Sequence, residues 1–198
     1  MRPLGPDRIS RWSSLILLCL GVLMTLGIAI LSQTALSLLS GVRAYVGGES
    51  LWSKGQKDAV HWLHRYAATG DRGALAGYRA AVAVPLGDRI AREELEKVHP
   101  DEAVARAGFL QGRNHPDDVD DMIWLFRDFQ YVGYFQTALS IWRQGDVEIA
   151  RLVAAGGRLE QAVKRAALPE ELAPILADAD AVNARVTPLE DRFSYTLG

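Results

Sequence analysis

Cysteine is nearly missing from this chain: of 198 residues only Cys19 carries a thiol. One thiol rules out an intrachain disulfide and every Cys-pair zinc or redox motif. Glycine-rich phosphate loops are missing too, as are H-E-x-x-H and G-x-S-x-G patterns, so no nucleotide, zinc-protease or serine-hydrolase chemistry is signalled. Charge is nearly balanced overall, with 22 basic against 24 acidic residues. It is absent altogether across residues 12–42. Beyond residue 42 the remaining 156 residues hold 19 basic and 23 acidic side chains, a net charge of −4 that offers no footprint for nucleic acid. Period-2 alternation of apolar residues is also lacking, which argues against half-buried strands.

The uncharged window is the strongest positive signal. Residues 15–39 read LILLCLGVLMTLGIAILSQTALSLL, which as a helix spans about 37 Å at about 1.5 Å per residue. That reaches across a bilayer with some tilt. A cleaved signal peptide has an apolar stretch of only about 7–15 residues, so the expectation is an uncleaved anchor over 13–42 that contacts lipid. Arg2, Arg8 and Arg11 stand before it against Asp7, with Trp12 at the interface. The positive-inside bias then makes 1–12 a cytoplasmic N-terminus and 43–198 an extracytoplasmic domain attached to the inner membrane.

The segment after residue 42 reads as helices. Tyr45, Trp52, Ala59 and Tyr66 recur every seven residues with Leu63 between, a stripe suited to helix packing, while Lys54, Asp58, His61 and Arg65 form a polar line. The first helix is expected to continue from the membrane to about residue 68, with Gly47 and Gly48 as weak points. Asp71 caps a second helix over 72–84, which Pro85 is expected to end. A third covers 88–98, and a fourth 100–111 with Asp101 and Glu102 in its first turn. Residues 117–142 form one amphipathic helix or two joined near Gly133, with Asp117 and Asp118 as capping and first-turn charge. Gly145-Asp146 is a further expected joint before a helix over 147–167 weakened by Gly156-Gly157. The last helix covers 170–197, with Pro188 a kink. Short turns between long helices predict an all-α, up-down bundle of about four long helices plus short connecting ones.

These helices could carry three kinds of site. Catalysis is disfavoured by the missing motifs, so no enzyme activity and no cofactor are expected. His61 and His64 at i, i+3, and His115 beside Asp117, Asp118, Asp120 and Asp121, have some metal-donor character, but exposed paired histidines and capping aspartates explain them more simply, and no metal is expected. A small-molecule pocket is the sharper possibility. Trp52, Trp62, Trp124, Trp142, Tyr66, Tyr131 and Tyr134 share helices with Lys57, His61, Arg65 and Arg127. Aromatic walls with convergent basic groups suit a carboxylate or other anion. The competing reading is that an aromatic stripe at helical spacing is plain core. The candidate ligand-binding set is Trp52, Lys57, His61, Arg65, His115, Trp124 and Arg127.

The strings SLWSKGQKDAVHWLHRYAATGD at 50–71, VPLGDRIARE at 84–93, NHPDDVDDMIWLFRDF at 114–129 and VNARVTPLEDRFSYTLG at 182–198 resemble extracytoplasmic sensory input regions of bacterial transmembrane receptors. Such regions precede histidine kinase modules, or GGDEF and EAL modules for cyclic di-GMP turnover. The resemblance covers about 43–198 and implies a periplasmic signal-input domain working as a homodimer. It also implies a second span and an output module, neither of which follows within the 198 residues, so no kinase or cyclase activity carries over. The rival expectation is a membrane-anchored structural or adaptor protein that docks an envelope partner and senses nothing.

Overall fold

The computed structural model describes residues 6–197, with side chains from Trp12 onward. Arg2 therefore lies outside the described residues, as do the side chains of Arg8 and Arg11 and the rest of the expected N-terminal charge bias. All regular structure among the described residues is α-helical: α1 (Pro6–Thr69), α2 (Arg72–Leu95), α3 (Glu102–Gln111), α4 (Val119–Phe129), α5 (Gly133–Lys164) and α6 (Pro169–Leu197). Two compact units result, Met1–Leu39 and Ser40–Gly198.

The first unit is helix with apolar side chains facing outward. Leu17, Leu23, Met24 and Leu31 are each exposed by more than 60%. α1 is long and apolar enough over Trp12–Thr69 to cross a membrane, and its most apolar window has a mean hydropathy of 2.7 with nothing buried. Two of its hydroxyls are satisfied inside the helix: Thr25 donates to the Gly21 carbonyl at 2.8 Å and Thr34 to that of Ile30 at 2.9 Å. In hydrocarbon no other partner exists for them.

In the second unit the outer part of α1 packs into a core with α2, α5 and α6, centred on Ala59, Leu63, Ala74, Leu152, Leu159 and Val182. Gly70 reverses the chain at φ +62, and the Asp71 side chain accepts from Ala74 N at 3.1 Å to start α2. At the head of α6 the Glu171 carboxylate reaches back to Leu168 N at 3.0 Å, with Pro169 in the first turn.

Two expected breaks do not occur. α2 runs through Pro85 to Leu95, because Val84, Pro85 and Asp88 are all buried and tertiary packing offsets the lost hydrogen bond. Carbonyls around the proline gain other donors: Gln111 Nε2 reaches Ala83 O at 2.9 Å and Arg113 Nη2 reaches Ala80 O at 3.4 Å. α5 likewise continues through Gly145 and Gly156. Those glycines are contact points, since a Cβ on Gly145 would meet the Trp52 ring at 3.2 Å and one on Gly156 would strike the Tyr78 hydroxyl. The alternative joint, before Gly133, does form, and there α4 ends and α5 begins. The Asp118 side chain, expected as a cap, makes no cap hydrogen bond and pairs with Arg43 at 2.8 Å instead.

α2 and α3 pack closest where glycine meets glycine. A Cβ on Gly108 would lie 2.7 Å from both Ala91 N and Gly87 O. That approach seats the 112–114 turn against α2 and delivers Asn114 to the site described next.

Candidate functional site

Heptad spacing on α1 places Tyr45 and Trp52 on one face with Gly48 and Glu49 between them, and this face borders a cavity of about 50 Å³. Its walls are aromatic. Tyr45 is the hub, with ring centroids 6.2 Å from Phe109, 5.6 Å from Phe135 and 6.1 Å from Trp142, each edge to face. Trp142 in turn meets Phe193 of α6 at 6.4 Å. Such arrangements favour each ring's positive edge against a neighbour's negative face and fix the walls. Gly48 and Gly145 let Asn114 and Trp52 close against the α1 and α5 backbones, where a Cβ would lie 2.6 Å from Asn114 Oδ1 and 3.2 Å from the Trp52 ring.

Polar groups around the cavity are acidic. Asp88, Glu49 and Glu190 line it, and no Lys, Arg or His does. Asp88 is 4% exposed and its Oδ1 accepts from Asn114 Nδ2 at 2.7 Å; the same amide donates to Phe109 O at 3.0 Å. Burial pushes the Asp88 carboxyl well above the usual range, with the Asp146 charge adding to it and the Asn114 bond opposing. Glu49 is pushed up by burial too, and by Glu190 and Asp191, against the Ser194 hydroxyl that donates to it at 3.1 Å. Behind the cavity Arg92 grips Asp146 at 2.7 Å and Glu96 at 2.8 Å. Burial still lifts Asp146 to about 6, because desolvation outweighs the guanidinium's pull.

Several buried polar atoms around this space have no hydrogen-bond partner. They include Trp52 Nε1, Trp142 Nε1 and Glu190 Oε1, all on cavity-lining residues. Groups of this kind are ordinarily satisfied by water or a ligand.

Of the seven expected ligand-binding residues, only Trp52 lines the cavity. Lys57 stands just behind, its Nζ on Ser53 Oγ at 2.7 Å and on Glu190 Oε2 at 3.0 Å. His61 and Arg65 lie on the exposed side of α1 and flank Trp62, edge-on at 5.7 Å and over the ring at 5.2 Å respectively. His115 is exposed and its Nδ1 accepts from Asp117 N at 3.3 Å. Trp124 packs edge-on against Phe129 at 5.5 Å, and Arg127 pairs with Glu102 at the surface. The basic set expected to hold an anion therefore does not converge. Helical phase explains this: His61 and Arg65 lie on the polar line of α1, opposite the buried Ala59, Leu63 and Tyr66. His64 binds Asp180 at 2.7 Å, and among the described residues no three His, Cys, Asp or Glu side chains gather as metal donors.

Sequence reasoning passed over Glu49, Asp88, Asn114, Glu190 and Phe193. One signal for Glu49 was available, its i, i+4 spacing from Tyr45 on an aromatic face. Asp88 carried another, as a carboxylate within the apolar side of α2. With this geometry in hand, comparison with known proteins gives no likeness to lean on: the chain matches no family model, no curated protein and no solved structure.

Proposed function

We propose that this chain is a membrane-anchored sensory input domain, tethered by its apolar segment, with the aromatic cavity as its stimulus site. The observation that carries the reading is that the cavity is walled by both α1 and α6. α1 is the helix that contains the apolar segment, and α6 is the last helix of the chain. A ligand that favours one packing of these two helices shifts their relation, which is how a receptor passes a stimulus along a helix. In this reading the N-terminus is cytoplasmic, residues 43–198 are periplasmic, the long helices form an up-down bundle, and two copies pair.

The test uses the full chain in lipid nanodiscs with Cys19→Ser and spin labels at Ser50 and Asp191, exposed positions on the two helices. A cavity ligand should move the distance distribution between them. Ligands that raise the melting temperature while leaving that distribution unchanged would overturn the sensory role. A reporter fused to the C-terminus and active only in the cytosol would overturn the topology.

A further inference from the structure

We propose that the cavity takes a small alkylammonium group, held between aromatic faces and the carboxylates of Glu49 and Glu190. This deepens the sensory reading and rests on the cavity being a ligand site.

The charge of the lining selects the class. Glu49, Glu190 and the buried Asp88 carboxyl border the space and no cationic side chain does, so an anionic ligand would find no cationic partner there. Lys57 neutralises only part of this acidic lining, because it contacts Glu190 Oε2 and leaves Oε1 buried without a partner. The Glu190 side chain is only 10% exposed, and a buried, half-paired carboxylate gains strongly from a second cation. Glu49 is partly exposed, and its neighbours Glu190 and Asp191 raise the cost of its charge, a cost that an ammonium would relieve. Tyr45, Trp52 and Trp142 line the same space and supply the aromatic surface that is the second element of ammonium recognition.

Size sets the limit. A cavity of about 50 Å³ holds a few water-sized groups, so it suits a small alkylammonium head. The ceiling on binding energy per atom puts so small a probe in the millimolar range at best.

The experiment titrates the full chain in neutral detergent with ethylammonium chloride, ethanol and sodium acetate at matched ionic strength, reading tryptophan fluorescence and melting temperature. These probes share size and differ in charge. Ethylammonium should bind about ten-fold more tightly than ethanol, with acetate weakest. Glu190→Gln should erase most of that preference. Because Glu190 also anchors Lys57, Glu49→Gln serves as a second variant and should weaken ethylammonium about three-fold or more. Ethanol binding as tightly as ethylammonium, or acetate more tightly, would overturn the ammonium assignment and leave the cavity as a ligand site. No response of the folded chain to any of the three would overturn the assignment and the ligand-site reading together.

Discussion

Two regions of the second unit are built from different materials. Around Leu63, Leu152 and Leu159 the helices are joined by aliphatic side chains and alanines with exposures of 1% or less. Around Tyr45 and Trp142 they are joined by aromatic rings, half-satisfied polar atoms and carboxylates, with a cavity at the centre. The first is packed to the density at which any missing methylene is felt. The second holds empty space and buried polar atoms without hydrogen-bond partners, which are costly. In the reading proposed above, the difference separates the part that holds the helices together from the part that responds.

The comparison breaks most directly under truncation. Leu152→Ala should cost about 3–5 kcal/mol in chemical denaturation, because its neighbours on α1, α2 and α6 cannot collapse into the gap. Ile141→Ala, although only 3% exposed, should cost about 2 kcal/mol, since it extends space that already exists. Equal losses would erase the distinction. A second dense contact is the glycine pair between α2 and α3: Gly108→Ala drives a methyl against backbone at 2.7 Å and should cost about 2–3 kcal/mol.

Protonation separates the regions next. Asp88 and Asp146 have folded pKa values above their ordinary ones, so the folded state binds protons more readily than the unfolded chain. Their contribution to stability is fully present below the ordinary carboxylate range. For Asp146 it is lost as pH rises from 3.8 towards about 6. Glu160 and Glu171, in ion pairs at the edge of the aliphatic region, act oppositely. Their pKa values are lowered, by Lys164 with Arg79 and by Leu168 N with Arg165, so their stabilisation disappears as pH falls through the lowered values. Melting temperature should therefore peak at mildly acidic pH. Asp88→Asn retains an acceptor for Asn114 and removes a buried ionisable group, so it should raise stability at neutral pH by about 1–2 kcal/mol and flatten the decline on the neutral side of the peak. An unchanged slope would mean that the carboxyl is better solvated than its burial indicates.

Sequence made the aliphatic region legible and left the cavity opaque, for a physical reason. Heptad spacing of Ala59, Leu63 and Tyr66 is a local pattern, and an apolar stripe must be buried whatever it meets. The helix start at Asp71 was readable because capping acts within four residues, whereas Asp101, expected inside the first turn of a helix from Pro100, is itself the cap. The cavity instead gathers Glu49, Asp88, Asn114 and Glu190 from four separate segments, and no spacing rule links them. Lys57, His61 and Arg65 were attractive because they share a helix with Trp52, yet sharing a helix is not sharing a face. Pro85 and Gly145 follow the same logic: local propensity marks them as breaks, and tertiary contact overrides it.

Gly145 also gives the finest test of the contrast. Alanine there adds a methyl 3.2 Å from the edge of the Trp52 indole, a contact tight enough that the ring must shift by a few tenths of an ångström. Beside the ring lies the cavity, so a route for that shift exists. The helix meanwhile gains up to about 1 kcal/mol from replacing an interior glycine. The two effects should nearly cancel, giving a net change within about 0.5 kcal/mol, while the space left for ethylammonium shrinks and its affinity falls. A loss as large as that of Gly108→Ala would show that Trp52 is clamped as firmly as the α2 and α3 backbones, and that the cavity is a rigid void with no capacity to adjust its walls to a ligand.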